Sequence, residues 1–264
     1  MNIFTFAFRE ILYRPLLNLL VLFYQLPFVD FGSAILFLTL LIRILLWPLN
    51  SKMIKGQRES QIKSRQIQGR LKEVQKRYKD DMARQNEEVM KLWREMKFNP
   101  FASLAPMIIQ MVILIAFYQV LRVIVQPEGL SLLYSFIPHL GKIYPSFLRI
   151  PLGILDLSQA SKITLGGKAL TILTGAVQYF YSKMSLSLQP KTPIKKKNRQ
   201  LGGQQKQMQG LQKMMQGQMM YFLPIMTVFI CWSLPAALSF YWFFSTLIGI
   251  FQQKMIFKRV SSKI

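Results

Sequence analysis

Hydrophobic residues in this chain are gathered into long uncharged runs, and charged residues lie between those runs. The longest run, residues 214–253, has 40 residues without a charged side chain. A straight helix needs about 20 apolar residues to cross roughly 30 Å of hydrocarbon, at about 1.5 Å per residue. The pattern therefore predicts an all-α membrane protein built from transmembrane helices.

The runs predict five transmembrane helices. The longest run holds two of them, because Pro235 in the stretch SLPAALS ends one helix and the short turn folds the chain back. The third helix reaches its length only by including Lys168. The predicted spans are residues 31–50, 100–125, 163–183, 214–234 and 235–254.

Residues 1–30 precede the first span and contain a shorter uncharged run, residues 15–29. That run is too short for a straight span. Asn18 and Gln25 are seven positions apart and would share one face of a helix. We interpret residues 1–30 as an amphipathic helix that lies in the membrane interface. The alternatives are a signal peptide or an additional span, although the segment has no A-x-A cleavage site.

The polar segments predict cytoplasmic features. Residues 51–99 carry apolar residues at helical spacing, such as Ile67 and Leu71, which predicts two antiparallel helices in a hairpin. Residues 184–213 form a basic loop rich in Gln and Gly, and residues 255–264 form a short basic tail.

The positions of the charges predict the orientation of the chain. The formal net charge is +23, and 26 of the 34 Lys and Arg residues lie in residues 51–99, in residues 183–213 and in the tail from Lys254. Positively charged loops stay in the cytoplasm. This rule puts the N-terminus outside and the C-terminus inside, and it leaves the proline-rich residues 126–162 as an external segment.

Residue types that carry familiar chemistry are scarce. The chain has one cysteine, Cys231, and one histidine, His139, so an intrachain disulfide and a Cys/His zinc cluster are both excluded. A Ser/His/Asp site is not apparent, and neither a P-loop nor a G-x-G-x-x-G stretch is present. We therefore expect no metal, no cofactor, no nucleotide hydrolysis and no enzymatic reaction.

Arg43 is a charged residue inside the first predicted span, and none of the five spans contains an acidic residue that would neutralise it. An arginine at the centre of a bilayer costs about 2.5–3.5 kcal/mol on insertion scales. Either the side chain snorkels to the headgroups along its apolar stem, or it faces a water-filled hollow between the spans.

The second interpretation gives a role to polar residues in the other spans. Any one of them taken alone is more readily explained by a hydrogen bond to the backbone or between helices. The polar residues that would line such a hollow are Gln110, Gln178, Thr227, Ser239, Ser245 and Thr246.

Three stretches of the sequence resemble the YidC/Oxa/Alb family of membrane protein insertases, and its bacterial members in particular. The stretch TLLIRILLWPL resembles the first span of that family, with its arginine and its closing Pro-Leu. The stretch RYKDDMARQNEEVMKLWREMKFNPFASLAPMIIQMVILIAFYQVL resembles the second hairpin helix and the second span. The stretch FLPIMTVFICWSLPAALSFYWFFSTLIGIFQQKMI resembles the last two spans, and the resemblance covers about residues 15–258.

The resemblance implies a hydrophilic groove among the five helices, open to the cytoplasm and to lipid and closed on the external side. It implies that Arg43 supplies the charge of the groove and that Trp242 is an aromatic contact for the passing chain, with Gln110 and Gln178 as further groove residues. The implied function is insertion of nascent membrane proteins into the lipid bilayer of a bacterial inner membrane. The implied partners are the ribosome, the signal-recognition machinery and the Sec translocon, with no other role for nucleic acid.

Two other classes of function remain as alternatives. Proton- or ion-coupled transporters usually hold acidic residues within the membrane and often show repeated halves, and neither feature is visible here. A membrane anchor for ribosomes would use the basic loops and would have no need of Arg43.

Overall fold

The structure is a computed structural model that describes residues 6–79, 81–96, 105–124, 131–137, 155–187 and 218–261. Within these residues the fold is helical, and the β-type pairing is limited to one isolated bridge between Ala160 and Pro235. The prediction of an all-α fold is confirmed for this part of the chain. Most of the predicted basic loop 184–213 and of the predicted external segment 126–162 lies outside the described residues, as does the end of the tail.

The N-terminal helix α1 (Arg14–Tyr24) continues a π-helical segment, Phe8–Tyr13, without a break. Its buried face is mostly apolar, and it packs against the helices that follow. Asn18 is the exception, because it is polar and only 2% exposed. The segment predicted as an interfacial helix therefore presents one face to the protein itself.

Helix α2 (Phe31–Leu45) begins at Asp30, whose carboxylate accepts a hydrogen bond from the Ser33 backbone N–H at 2.7 Å. Such a side chain at the N-cap satisfies one of the free N–H groups of the first turn. The helix is capped at its C-terminus by Leu46, and α3 (Trp47–Arg77) starts at the next residue.

The junction of α2 and α3 is a bend of 59°. Pro48 lies in the first turn of α3. Proline has no N–H to donate to the preceding turn, and it disfavours helical geometry at the residue before it. The bend falls within residues 31–50, the first predicted span.

Helix α3 and helix α4 (Met82–Glu95) form a hairpin. Ile67 on α3 and Leu92 on α4 are buried, at 2% and 6% exposure. Arg70 and Glu95 form an ion pair across the hairpin, with 3.6 Å between the guanidinium and the carboxylate. On the outer surface of α4, hydrogen bonds from Lys91 to Glu88 and Glu87 raise the pKa of the lysine.

The remaining helices are α5 (Ala105–Ile124), α6 (Leu165–Ser187), α7 (Leu223–Ser233) and α8 (Ala236–Ser261). A π-helical segment, Gln218–Phe222, leads into α7.

The described helices differ in whether they are long and apolar enough to cross a membrane. Helix α5 is long and apolar enough to cross a membrane by itself, and α2 with the start of α3 qualifies only as one broken span. The apolar segment Met220–Ser233 is shorter. The five-span arrangement thus stays a prediction.

The hydrophobic core lies where α1, α2, α5 and α8 meet. Its largest members are side chains with almost no exposed surface, namely Leu17, Phe31, Leu38, Phe117, Leu238 and Tyr241. The Phe117 and Tyr241 rings pack with their centroids 4.8 Å apart. Residues of α2, α5 and α8 next to this core carry the polar groups described below.

Candidate functional site

Arg43 lies in the last turn of α2, and its guanidinium reaches across to α8. The Nε and Nη2 groups of Arg43 both donate to the Ser245 hydroxyl, at 3.1 and 2.7 Å. Nη2 also approaches the Gln110 side-chain oxygen on α5, at 3.5 Å. The arginine therefore joins three helices through neutral polar partners.

One further contact, together with α8 itself, completes a ring of these groups. The Gln110 amide donates to the Tyr241 hydroxyl at 3.5 Å. Tyr241 and Ser245 are one turn apart on α8, so their side chains lie on the same face of that helix. We call Arg43, Gln110, Tyr241 and Ser245 the polar ring. The contacts of Gln110 are at the long limit of a hydrogen bond, so the contact between Arg43 and Ser245 is the strong one.

No carboxylate neutralises Arg43 within the described residues. The ion pairs seen there belong to the N-terminal helix and to the hairpin. Position along the helix lowers the cost of the charge, because the last carbonyls of a helix carry partial negative charge that favours a cation. The bend at Leu46 supplies that helix end within the predicted span, four residues before its last residue.

A cavity of about 400 Å³ lies beside Arg43, on the side where α2 and the start of α3 face α8. Its lining is apolar apart from the arginine. Two of these apolar residues, Ile44 and Phe251, are more than 60% exposed. The residues that line the cavity are Leu40, Arg43, Ile44, Trp47, Leu247, Ile248 and Phe251. Arg43 thus lies between a polar ring and an apolar opening.

Gln178 is not a member of the polar ring. Its side-chain oxygen accepts a hydrogen bond from Thr246 at 3.4 Å, which ties α6 to α8. The helix α6 nevertheless comes close to Arg43. A Cβ atom built on Gly249 would lie 3.5 Å from Arg43 Nη1 and 3.6 Å from the ring of Tyr181.

Trp242 belongs to the hydrophobic core. Its side chain is 7% exposed, and its backbone carbonyl accepts a hydrogen bond from Thr246 at 2.8 Å. A passing chain would reach the indole only after neighbouring side chains moved. The structure thus brings Gln110 to Arg43, and it places Gln178 and Trp242 elsewhere.

Sequence reasoning missed several polar groups on α8. Gln252 donates to the Trp47 backbone carbonyl at 3.3 Å, next to the bend. The Gln253 amide donates to the Ser185 hydroxyl of α6 at 3.0 Å. A usable signal was present, because Tyr241, Ser245 and Gln252 are separated by four and seven residues, which places them on one helical face.

The turn between α7 and α8 is fastened to the segment before α6. The Ser161 N–H donates to the Leu234 carbonyl at 3.0 Å, and the Ala236 N–H donates to the Gln159 carbonyl at 2.9 Å. The Ser161 and Ser239 hydroxyls are 3.0 Å apart and buried. We call residues 157–162 with residues 232–237 the backbone clamp. It joins the two segments at the end of the bundle where α8 begins, and Arg43 of α2 contacts α8 further along, at Ser245.

Comparison with known proteins adds three findings. The family described as 60Kd inner membrane protein matches residues 22–263. A protein of Actinobacillus succinogenes named membrane protein insertase YidC is 31% identical over 95% of this chain and 37% of its own length. Proteins of the same name from Methylobacterium nodulans and Fusobacterium nucleatum are 27% and 28% identical, over 95% and 87% of this chain. The chain spans little more than a third of the first two relatives and 87% of the third.

Proposed function

We propose, since the chain belongs to the 60Kd inner membrane protein family, that it inserts nascent membrane proteins into the lipid bilayer of a bacterial inner membrane. The relatives named as membrane protein insertases support this proposal. The relative from Fusobacterium nucleatum, which aligns over 87% of both chains, gives the strongest support, because it has little sequence beyond the part compared.

The proposed topology has five spans with the N-terminus outside and the C-terminus inside. In this arrangement the hairpin of α3 and α4 lies in the cytoplasm, and the backbone clamp lies at the external end. The clamp supports closure on that side, since its backbone groups are paired with each other. The bend at Leu46 supports an exit of α3 from the membrane at the cytoplasmic end.

The observation that carries the mechanism is the charge of Arg43. Its partners Ser245 and Gln110 satisfy hydrogen bonds but leave the positive charge without a counter-ion in the described part of the chain. An acidic flanking segment of a substrate would be attracted to that charge. The attraction is stronger than in water, because the surroundings have a lower effective dielectric constant.

The insertion step then needs no covalent chemistry and no nucleotide. Polar groups of the groove replace part of the hydration of the tail, which lowers the cost of moving it into the membrane. The apolar segment of the substrate leaves sideways into lipid past the apolar cavity, favoured by about 25 cal/mol per Å² of buried apolar surface. The membrane potential contributes about 2.3 kcal/mol per charge per 100 mV.

The other groove residues have supporting roles in this proposal. Gln110 lines the groove beside Arg43. Gln178 holds α6 against α8 through Thr246. Trp242 is proposed to contact a chain that has entered far enough to displace the side chains over it.

Partners outside the membrane are proposed from the position of the hairpin. Its exposed surface carries basic side chains, including Lys76, Arg77, Arg84 and Arg94. Such a surface suits the ribosome or the signal-recognition machinery. A Sec translocon is proposed as a further partner in the membrane.

Insertion by purified protein in vesicles tests the role of Arg43. The substrate is a single-span protein whose short translocated tail carries acidic residues. Arg43→Ala is expected to slow insertion by about tenfold or more, since one tenfold change corresponds to about 1.4 kcal/mol. Arg43→Lys keeps the positive charge but loses the paired donors of the planar guanidinium. We therefore expect an insertion rate between those of wild type and Arg43→Ala.

The matched control is Thr39→Val on the same helix. Thr39 is buried, and its hydroxyl bonds to the Ile35 carbonyl one turn earlier, away from the polar ring. Insertion by Arg43→Ala equal to that of Thr39→Val would refute the proposal.

A further inference from the structure

We propose that Ser245 is the positioning residue for Arg43, and that a single carboxylate of the substrate binds the opposite end of the guanidinium. This inference rests on the proposed function and adds the geometry of recognition. It follows from how the five N–H groups of Arg43 are used.

Ser245 occupies one of the two forks of the guanidinium. A guanidinium offers a carboxylate two paired sets of donors, Nε with Nη2 along one edge and Nη1 with Nη2 at the end. The Ser245 oxygen accepts from Nε at 3.1 Å and from Nη2 at 2.7 Å. The edge is therefore filled by a neutral acceptor, which fixes the plane of the group and leaves its charge intact.

The end of the guanidinium is open by comparison. Among the described residues, Nη1 has no hydrogen-bond acceptor, and the second contact of Nη2 is the 3.5 Å approach of Gln110. A carboxylate makes a shorter and stronger bond to a guanidinium than an amide oxygen does. Binding at the end would displace Gln110 and keep Ser245 in place.

Gly249 lies on α8 beside the end of the guanidinium. A Cβ atom at this position would be in ordinary contact with Nη1 at 3.5 Å, with Nη2 at 3.6 Å and with Tyr181 at 3.6 Å. A side chain longer than that of alanine would compete with a carboxylate for the space next to Nη1 and Nη2. In this proposal, position 249 therefore influences specificity for the same carboxylate.

A serine suits position 245 because its hydroxyl accepts hydrogen bonds from Arg43 without cancelling the positive charge of the guanidinium. An acidic side chain there would form a bidentate ion pair with Arg43 and cancel the attraction for the substrate. An alanine would leave the Nε and Nη2 edge of the guanidinium without an acceptor. The guanidinium could then rotate and present this edge, instead of its end, to the substrate. Serine supplies an acceptor without charge.

The test compares substrate tails in the vesicle assay. Two single-span substrates differ only in one tail residue, Asp or Asn. We expect Ser245→Ala to slow insertion of the Asp substrate about tenfold, since the variant removes the hydroxyl that accepts from the charged guanidinium. Insertion of the Asn substrate should change by less than about twofold, because a neutral tail gains little from an oriented charge.

Four further variants separate positioning from general damage. Ser245→Thr keeps the hydroxyl and should restore the preference for the Asp substrate. Ser245→Asp should abolish that preference while Arg43 is still present. Gly249→Leu should lower it more than Gly249→Ala does.

The outcomes distinguish this inference from the function it rests on. If Arg43→Ala slows the Asp substrate but Ser245→Ala and Ser245→Asp keep the wild-type ratio of Asp to Asn insertion, the positioning role is wrong and the proposed function stands. If Arg43→Ala itself leaves insertion unchanged, both are wrong. Equal slowing of both substrates by Ser245→Ala, with no rescue by Ser245→Thr, would identify a structural role only and overturn the inference.

Discussion

At the scale of single residues, two buried polar side chains hold separate parts of the molecule in place. Ser245 holds Arg43, as described above. Asn18 does the same for the N-terminal helix. Its amide donates to the carbonyls of Arg14 at 2.7 Å and Leu132 at 3.3 Å, and its oxygen accepts from the Tyr134 N–H at 2.6 Å. Through Asn18, α1 is fixed to the segment that follows α5.

Asn18→Leu is expected to destabilise the protein. The substitution removes the acceptor of the Tyr134 N–H, whereas the Leu132 carbonyl keeps the hydrogen bond from Arg14 Nε at 3.2 Å. An unsatisfied buried polar group costs about 1–3 kcal/mol. The change should appear as a lower unfolding temperature in detergent, relative to wild type. Thr39→Val is a suitable control, because its hydroxyl bonds only within its own helix. Equal unfolding temperatures for Asn18→Leu and Thr39→Val would contradict this role of Asn18.

Residue types and their spacing made only part of the site predictable. Arg43 was identifiable because it is a charge without an acidic partner in an apolar run, and Gln110 and Ser245 because they are polar residues in other runs. Their contact was not predictable, since Arg43 and Ser245 are 202 positions apart and meet only through helix packing. The position of Trp242 was not predictable either. An aromatic residue in an apolar run gives the same sequence pattern whether its side chain faces a groove or the core.

At the scale of elements, the bend between α2 and α3 decides the environment of Arg43. A continuous helix would place the arginine in mid-helix, where the carbonyls are all bonded. The 59° bend puts it in the last turn of α2 instead. The spacing of apolar residues predicted a helix on each side, but it did not locate the break, because the apolar run continues through Trp47 and Leu49.

Pro48→Ala is expected to loosen the bend. Alanine restores a backbone N–H and removes the restriction on the residue before it, so helix becomes favourable through the junction. The far end of α3 lies about 30 residues from the bend, or roughly 45 Å at 1.5 Å per residue, so a small change in angle moves it a long way. Spin labels at Lys76 and Arg122, in a Cys231→Ala background, should give a broader and shifted distance distribution.

The matched control for this measurement is Leu49→Ala, one residue further along α3. Leu49 is exposed, and its replacement alters side-chain size without restoring a backbone donor. The same distribution for Pro48→Ala as for Leu49→Ala would show that proline is not the cause of the bend.

At the scale of the whole molecule, the backbone clamp and the polar ring lie at different positions along α8. The backbone clamp joins the turn before α8 to the segment before α6. The apolar opening beside Arg43 lies further along α8, next to the hairpin. Hydrophobic runs and segregated charge were enough to predict helices and a basic face. They contained no information on the clamp, because its bonds are made by backbone groups that every sequence possesses.

The central claim is that the charge of Arg43 attracts acidic groups of the substrate, and a coupling measurement tests it most directly. Wild type and Arg43→Ala each insert a single-span substrate with an Asp tail and its Asn counterpart, in vesicles without a membrane potential. We predict that Arg43→Ala slows the Asp substrate at least about tenfold more than the Asn substrate, which is a coupling of about 1.4 kcal/mol. Equal slowing of the two substrates would contradict the account, because the arginine would then act without regard to the charge that passes it.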